Sequence, residues 1–118
     1  MRDASRLEVT AVAEEMAVAI YELTRSLPSE ERYGLTSQLR RAAVSVGSNI
    51  AEGCGRSSDA QLRSFLEVAM GSASEVEFQL RLSIRLGYLT PDAATTAQRS
   101  LTRTKRMLAA LQLRLRKP

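Results

Sequence analysis

The sequence predicts an all-α protein, an antiparallel up-down-up-down bundle of four helices in a single domain, residues 1–118. Apolar residues recur every three or four positions through four long stretches, the spacing that keeps one stripe of a helix against a partner. No stretch alternates as a strand does, and the short joints make sequential helices antiparallel. With 118 residues, 44% hydrophobic and 25% charged, the chain has the composition of a globular domain that folds without disulfide or metal.

The first helix is predicted over about 5–27 and the second over about 30–54. Pro28 stops the first helix, residues 29–34 form a short turn at the start of the second segment, and Thr36 could cap the helix after that turn. Gly53 and Gly55 are expected to end the second helix. The two apolar stripes are Val9, Ala13, Met16, Ile20, Leu23 and Leu27, then Leu39, Ala42, Ala43, Val46 and Ile50.

The third helix is predicted over about 58–87, with Ser58 or Asp59 as N-cap and Gly87 as its stop. Its core stripe is Leu62, Phe65, Ala69, Ala73, Val76, Leu80 and Ile84. A second apolar set lies beside this stripe, and a small domain has only one interior. We therefore expect a homo-oligomer interface there, formed by Leu66, Met70, Phe78, Leu82 and Leu86.

The fourth helix is predicted over about 91–116, because Thr90 can cap a helix whose first residue is Pro91. Its stripe keeps a sustained three-four spacing through Ala94, Ala97, Leu101, Thr104, Leu108, Leu111 and Leu115.

The chain has no His and a single Cys. It therefore lacks Ser-His-Asp and Cys-His pairs, His-containing zinc sites, haem ligation by His and an internal disulfide. Without His, Glu52, Glu67 and Glu75 cannot complete the ligand set of a di-iron bundle. We expect no enzymatic activity, metal or cofactor, and we interpret Cys54 as an incidental small residue. The lone Cys, with no export leader and no long apolar run, predicts a cytoplasmic protein.

Charge is distributed unevenly along the chain. Residues 1–59 carry seven basic and nine acidic side chains, whereas residues 60–118 carry ten and four. Fifteen of the seventeen basic residues are Arg, which grips phosphate in two places, although a codon bias toward Arg is the alternative explanation. From Arg99 to the end there are seven basic residues and no acidic one. This face is either a polyanion-binding surface, in which phosphate contact would dominate over base stacking, or a solvated face.

The candidate nucleic-acid-binding residues lie on helices 2 to 4. They are Arg40, Arg41, Arg56, Arg63, Arg81, Arg85, Arg99, Arg103, Lys105, Arg106, Arg114, Arg116 and Lys117. Glu52 lies on a polar row of helix 2, and Asn49 lies between Val46 and Ile50 at the edge of the core, where a buried amide requires partners. Both residues are either structural or in contact with a ligand.

Residues 33–46, 48–53 and 55–56 resemble the signature of the 23S rRNA intervening-sequence protein family. The matching signature positions include Tyr33, Gly34, Leu35, Gln38, Asn49, Glu52 and Gly53. Residues 65–69, 75–77 and 86–89 also resemble the family, so the likeness covers nearly the whole chain. Gly47 stands where the family often has Pro, and Leu27 where Phe is usual before Pro28.

The resemblance implies a bacterial four-helix bundle that assembles as a ring of five around a central channel. Related proteins serve as accessory factors of reverse transcriptases, in which a basic ring binds nucleic acid and the polymerase. Two hypotheses follow: a non-enzymatic oligomer that binds nucleic acid, RNA being favoured and rRNA possible, or an oligomeric scaffold that docks a protein such as a reverse transcriptase. The partners expected are therefore other copies of the chain, nucleic acid and a protein, with no membrane.

Overall fold

The computed structural model describes residues 4–116, which form four long helices and no strand. The helices are α1 (Ala4–Thr24), α2 (Leu35–Cys54), α3 (Asp59–Arg85) and α4 (Pro91–Arg116), with a short 3-10 turn at Ser29–Glu31 before α2. The predicted all-α class and number of helices are confirmed. Across the described residues, no helix combines the length and hydropathy that crossing a membrane requires.

The helices pack in sequence order around one core. α1 lies against α2 and α4, and α3 lies against the same two helices, so each helix has two neighbours. Most of the predicted apolar stripes are buried, and on α4 all seven stripe residues are buried, Thr104 included. The Thr104 hydroxyl donates to the Ser100 carbonyl at 2.7 Å, which gives this buried polar group a partner.

α1 ends at Thr24, three residues before the predicted end at 27. The residue before a proline is disfavoured in the helical region, and Pro28 restricts Leu27 in this way. The Thr24 hydroxyl donates to the Ile20 carbonyl at 2.7 Å, and the Ser26 hydroxyl donates to the Leu23 carbonyl at 2.9 Å. The two hydroxyls thus satisfy carbonyl groups at the end of α1, and Leu27, beyond the end of the helix, still packs in the core.

The prediction of Thr36 as the cap of α2 is wrong, because the helix begins at Leu35 with Gly34 in the N-cap position, and Glu31 supplies the side-chain acceptor. Glu31 Oε1 accepts from the Leu35 backbone N–H at 3.0 Å, and a Cβ at Gly34 would collide with this oxygen. Glu31 Oε2 accepts from the Tyr88 hydroxyl at 3.0 Å, and this bond raises the pKa of Tyr88. One carboxylate therefore joins the start of α2 to the segment between α3 and α4.

The role predicted for Gly53 is also wrong, since it lies inside α2 and the helix continues to Cys54, with Gly55 as its C-cap. A Cβ at Gly53 would lie 2.8 Å from the Cβ of Phe65 and 3.0 Å from a methyl carbon of Leu62. Glycine is needed there because α2 and α3 approach closely.

The N-caps predicted for the last two helices are confirmed. The Ser58 hydroxyl accepts from the Gln61 N–H at 3.2 Å, and the Thr90 hydroxyl accepts from the Ala93 N–H at 3.1 Å. Each satisfies a backbone donor that has no partner within its helix.

Candidate nucleic-acid interface

The outward face of α4 carries three exposed arginines on one stripe. Arg99, Arg103 and Arg106 are three or four residues apart, opposite the buried stripe. Together with Thr95, Gln98 and Thr102 they line a shallow groove of about 430 Å³. The groove is wide, open and cationic, which suits an extended polyanion better than a small ligand.

α3 extends this cationic surface sideways. Arg81 shares a cleft of about 180 Å³ with Glu77, Gln98 and Thr102, so it adjoins the groove of α4. Arg85 lies one turn further along. Within residues 4–116, none of these five arginines forms a salt bridge. We call this set the basic surface: Arg81, Arg85, Arg99, Arg103 and Arg106.

Two other candidate arginines are engaged with the ends of neighbouring helices. Arg40 donates from Nε to the Thr24 hydroxyl at 2.9 Å and from Nη2 to the Tyr21 carbonyl at 3.2 Å, and its guanidinium lies 4.7 Å from the centre of the Tyr21 ring. Arg63 donates from Nη1 to the Leu115 carbonyl at 2.9 Å. Both therefore satisfy carbonyls in the last turns of α1 and α4, which have no intrahelical partner.

Two further candidates are held by carboxylates. Arg56 pairs with Glu52 at 2.8 Å and lies 5.0 Å from the centre of the Phe65 ring. Lys105 pairs with Glu77 at 2.8 Å across α3 and α4, and the hydrogen bond from Lys105, followed by its charge, lowers the pKa of Glu77. Glu52 thus has a structural partner. The surface charge of Lys105 is reduced.

The remaining candidates lie elsewhere. Arg41 lies in a groove between α2 and α3, Arg114 and Arg116 are exposed in the last turn of α4, and Lys117 is outside the described residues. The structure therefore brings together five of the thirteen candidates.

A polar groove of about 450 Å³ lies between α2 and α3. Its walls are Tyr33, Ser37, Gln38, Arg41, Ala42, Ser45, Glu75 and Gln79, and we call it the polar groove. Gln79 is only 9% exposed. Its Nε2 is 3.5 Å from Gln38 Oε1, and its own buried Oε1 has no partner within the described chain. A buried acceptor without a partner costs about 1–3 kcal/mol of stability.

Asn49 is linked to the polar groove through Ser45, one of its lining residues. Its Nδ2 donates to the Ser45 carbonyl at 2.8 Å and to the Ser45 hydroxyl at 3.1 Å, and that hydroxyl lies 2.8 Å from the hydroxyl of Ser72 on α3. These bonds support the structural interpretation of Asn49. Gln79 and Ser72 were not among the predicted site residues, although polar residues at core spacing along α3 (72, 79 and 83) were a readable signal.

The second apolar set of α3 divides into two parts. Leu66 is fully buried in the core of its own chain, so its assignment to an oligomer interface is wrong. Phe78 and Leu86 are 59% and 52% exposed, and Met70 and Leu82 are half-buried. Phe78, Leu82 and Leu86 line a surface groove of about 560 Å³ with Arg81 and Arg85, which we call the apolar patch. Large exposed apolar side chains of this kind mark contact surfaces.

Among the described residues, no group of three or more Cys, Asp or Glu side chains is placed to hold a metal ion.

Comparison with known proteins identifies a family and similar solved structures. The model of a family described as 23S rRNA-intervening sequence protein matches residues 5–110. A crystal structure from Bacteroides thetaiotaomicron, of a protein of unknown function from the S23 ribosomal protein family, superposes with a TM-score of 0.84 at 28% identity. The match covers 92% of this chain and 97% of that one. No curated protein matches.

Proposed function

The chain belongs to the 23S rRNA-intervening sequence protein family, and from this premise we propose that it is a cytoplasmic, non-enzymatic, oligomeric RNA-binding protein. The observation that carries the proposal is the basic surface, where five exposed arginines of α3 and α4 adjoin without a salt bridge among the described residues. The family description and the ribosomal family of the structural neighbour favour RNA over other polyanions.

The basic surface contacts phosphates. Arginine grips a phosphate with two parallel hydrogen bonds, and arginines on one helical stripe follow a nucleic-acid backbone. Contacts between arginine and phosphate carry no sequence information, so the basic surface itself reads no sequence. Affinity then comes from counterion release and falls steeply with salt.

The test is a binding titration of a labelled structured rRNA fragment and a duplex DNA of equal length, each at two salt concentrations. We expect the wild type to bind with a steep salt dependence and an Arg99/Arg103/Arg106→Glu variant to lose binding, while circular dichroism shows unchanged helicity. If the wild type binds neither ligand at low salt, the proposal is wrong, and the basic surface becomes a docking site for a protein such as a reverse transcriptase.

We propose further that the up-down-up-down bundle assembles head to tail into a ring of five. The apolar patch of α3 leaves Phe78 and Leu86 more than half exposed. The outward face of α1 offers an exposed apolar residue, Val18, as the partner of this patch, while Arg81 and Arg85 lie at the rim of the contact and face the RNA. A contact between two different faces of the same chain generates rings when its rotation closes. Repeating the basic surface around a ring would raise its effective concentration for a long RNA.

Assembly is tested by sedimentation velocity, in which a ring of five has five times the 13.0 kDa protomer mass. Phe78→Glu places a charge in the apolar patch and should give monomers. Leu113→Glu, at an apolar residue of α4 that is exposed to a similar degree (56%), should leave the assembly intact. A wild-type monomer at micromolar concentration, or equal effects of both substitutions, would contradict the proposed ring.

A further inference from the structure

We propose that the polar groove between α2 and α3 binds a single unstacked nucleobase that carries an exocyclic amino group, supplied by the RNA strand that the basic surface holds. The inference rests on the proposed function and adds base recognition, which the basic surface cannot supply. The groove, at about 450 Å³, lies within the size range of ligand pockets and has room for one base.

The α3 wall of the groove presents two hydrogen-bond acceptors one turn apart, Glu75 and Gln79. Gln79 Oε1 is buried without a partner within the described chain, because the amide is oriented with Nε2 toward Gln38 Oε1. Because this Oε1 has almost no accessible surface, it reaches a base only when the Gln79 amide turns over and places Oε1 where Nε2 now lies. A base amino group has two hydrogens and can then donate to both acceptors, as carboxylates and amides do accept from cytosine and adenine amino groups. Uracil offers one N–H between two carbonyl oxygens, which the Glu75 carboxylate repels.

Tyr33 supplies a surface for the face of the base. It lines the groove, and it is 87% exposed, so little of its own chain covers the ring. The Arg32 guanidinium lies 5.7 Å from the centre of this ring. Unpaired bases of RNA stack on aromatic side chains in this manner while their edges are hydrogen-bonded.

Arg41 supplies charge on the α2 side of the same groove. Its guanidinium is exposed and can contact the phosphate attached to the bound base. The groove thus offers a ring to stack on, two acceptors for an amino group and one cation for a phosphate, which together fit a nucleotide of a single strand.

The test compares oligo(C) with oligo(U), two pyrimidine strands of equal length that differ at the amino position. We expect the wild type to bind oligo(C) at least about five-fold more tightly by fluorescence anisotropy. Gln79→Leu should reduce this preference to less than two-fold without weakening oligo(U) binding. Gln61→Leu, the same change on α3 outside the groove, should keep the preference. Tyr33→Ala, at a side chain that is 87% exposed, should weaken oligo(C) binding and leave oligo(U) binding unchanged.

Equal binding of the two strands by the wild type, or a preference that survives Gln79→Leu, overturns the base-binding inference and leaves phosphate binding by the basic surface standing. Titration with cytidine and uridine monophosphates, followed by the NMR shifts of Ser37 and Ser45, tests the groove without the RNA strand. Shifts with the cytidine nucleotide alone are expected. The absence of a shift with either nucleotide would contradict the inference, whether or not the RNA strands bind to the protein.

Discussion

α1 and α4 lie side by side, and their inward faces are alike while their outward faces have opposite charge. Each contributes a stripe of buried apolar residues to the same core. Among the described charged residues of α1, the exposed ones are all glutamates and Arg6 is half-buried, whereas α4 exposes a run of guanidinium groups. The two sets are Glu8, Glu14, Glu15 and Glu22 on α1, and Arg99, Arg103, Arg106, Arg114 and Arg116 on α4. Packing constrains the inward faces, so the difference in charge points to a task performed on the outside.

The largest effect on stability is expected when a buried side chain on the inward face of α4 is shortened. Leu108 is fully buried, so Leu108→Ala should lower the free energy of unfolding by about 2–5 kcal/mol through reduced burial and a cavity. Leu113→Ala on the outward face should change it by less than about 0.5 kcal/mol. Urea unfolding followed by circular dichroism measures both. Similar costs at the two sites would show that the outward face of α4 is also packed.

The next effect separates structural from RNA-binding arginines. Arg40→Met removes charged hydrogen bonds that close the end of α1, and should cost about 1–3 kcal/mol of stability while RNA affinity stays unchanged. Arg103→Met on the basic surface should do the reverse, with stability kept within about 0.5 kcal/mol and RNA affinity lowered. Urea unfolding and anisotropy titration are run on both variants. An RNA-binding defect in Arg40→Met would mean that RNA also contacts Arg40, which lies outside the basic surface.

The smallest effect concerns the carboxylate that lies closest to the basic surface. Glu77→Gln releases Lys105 from its ion pair, so affinity for RNA should rise a few-fold at low salt. The stability cost should stay below about 1 kcal/mol, because the pair is largely exposed. Unchanged affinity would show that Lys105 does not contact the RNA.

The same pair predicts a pH dependence. Lys105 lowers the pKa of Glu77 below its ordinary value of 4.5, so the stability that the pair contributes is present above that value and disappears as pH falls through the lowered pKa. The difference in unfolding free energy between wild type and Glu77→Gln should therefore shrink toward zero on acidification. A difference in unfolding free energy that persists in acid would show that it arises from side-chain packing and not from the ion pair.

Sequence periodicity was sufficient for the helices and their inward faces. The buried stripe of α4 and the caps Ser58 and Thr90 could be predicted because each depends on residues close in sequence. The bond of Glu31 to Leu35 is local, whereas its bond to Tyr88 joins residues 57 positions apart and has no signal in the local sequence. The close approach at Gly53 has no local signal either, since its neighbours Phe65 and Leu62 belong to another helix.

The sequence predicts which residues of the candidate site are basic, but not which of them lie together in the fold. The sequence identified the basic residues, yet a count of charges cannot tell Arg63, which donates to a carbonyl of α4, from Arg99, which faces outward. Leu66 and Phe78 look equivalent as apolar residues of α3, and only packing against the other helices distinguishes the buried residue from the exposed one.

The most direct test of the contrast between α1 and α4 is the salt dependence of RNA binding for two neutralised variants, Arg99/Arg103/Arg106→Gln on α4 and Glu8/Glu14→Gln on α1. If the arginines of α4 bind phosphates, the slope of log affinity against log salt should become shallower by about 0.7–0.9 for each phosphate that the variant no longer neutralises. The α1 variant should keep the wild-type slope. Equal slopes for the wild type and the α4 variant would contradict the assignment of RNA binding to the basic surface.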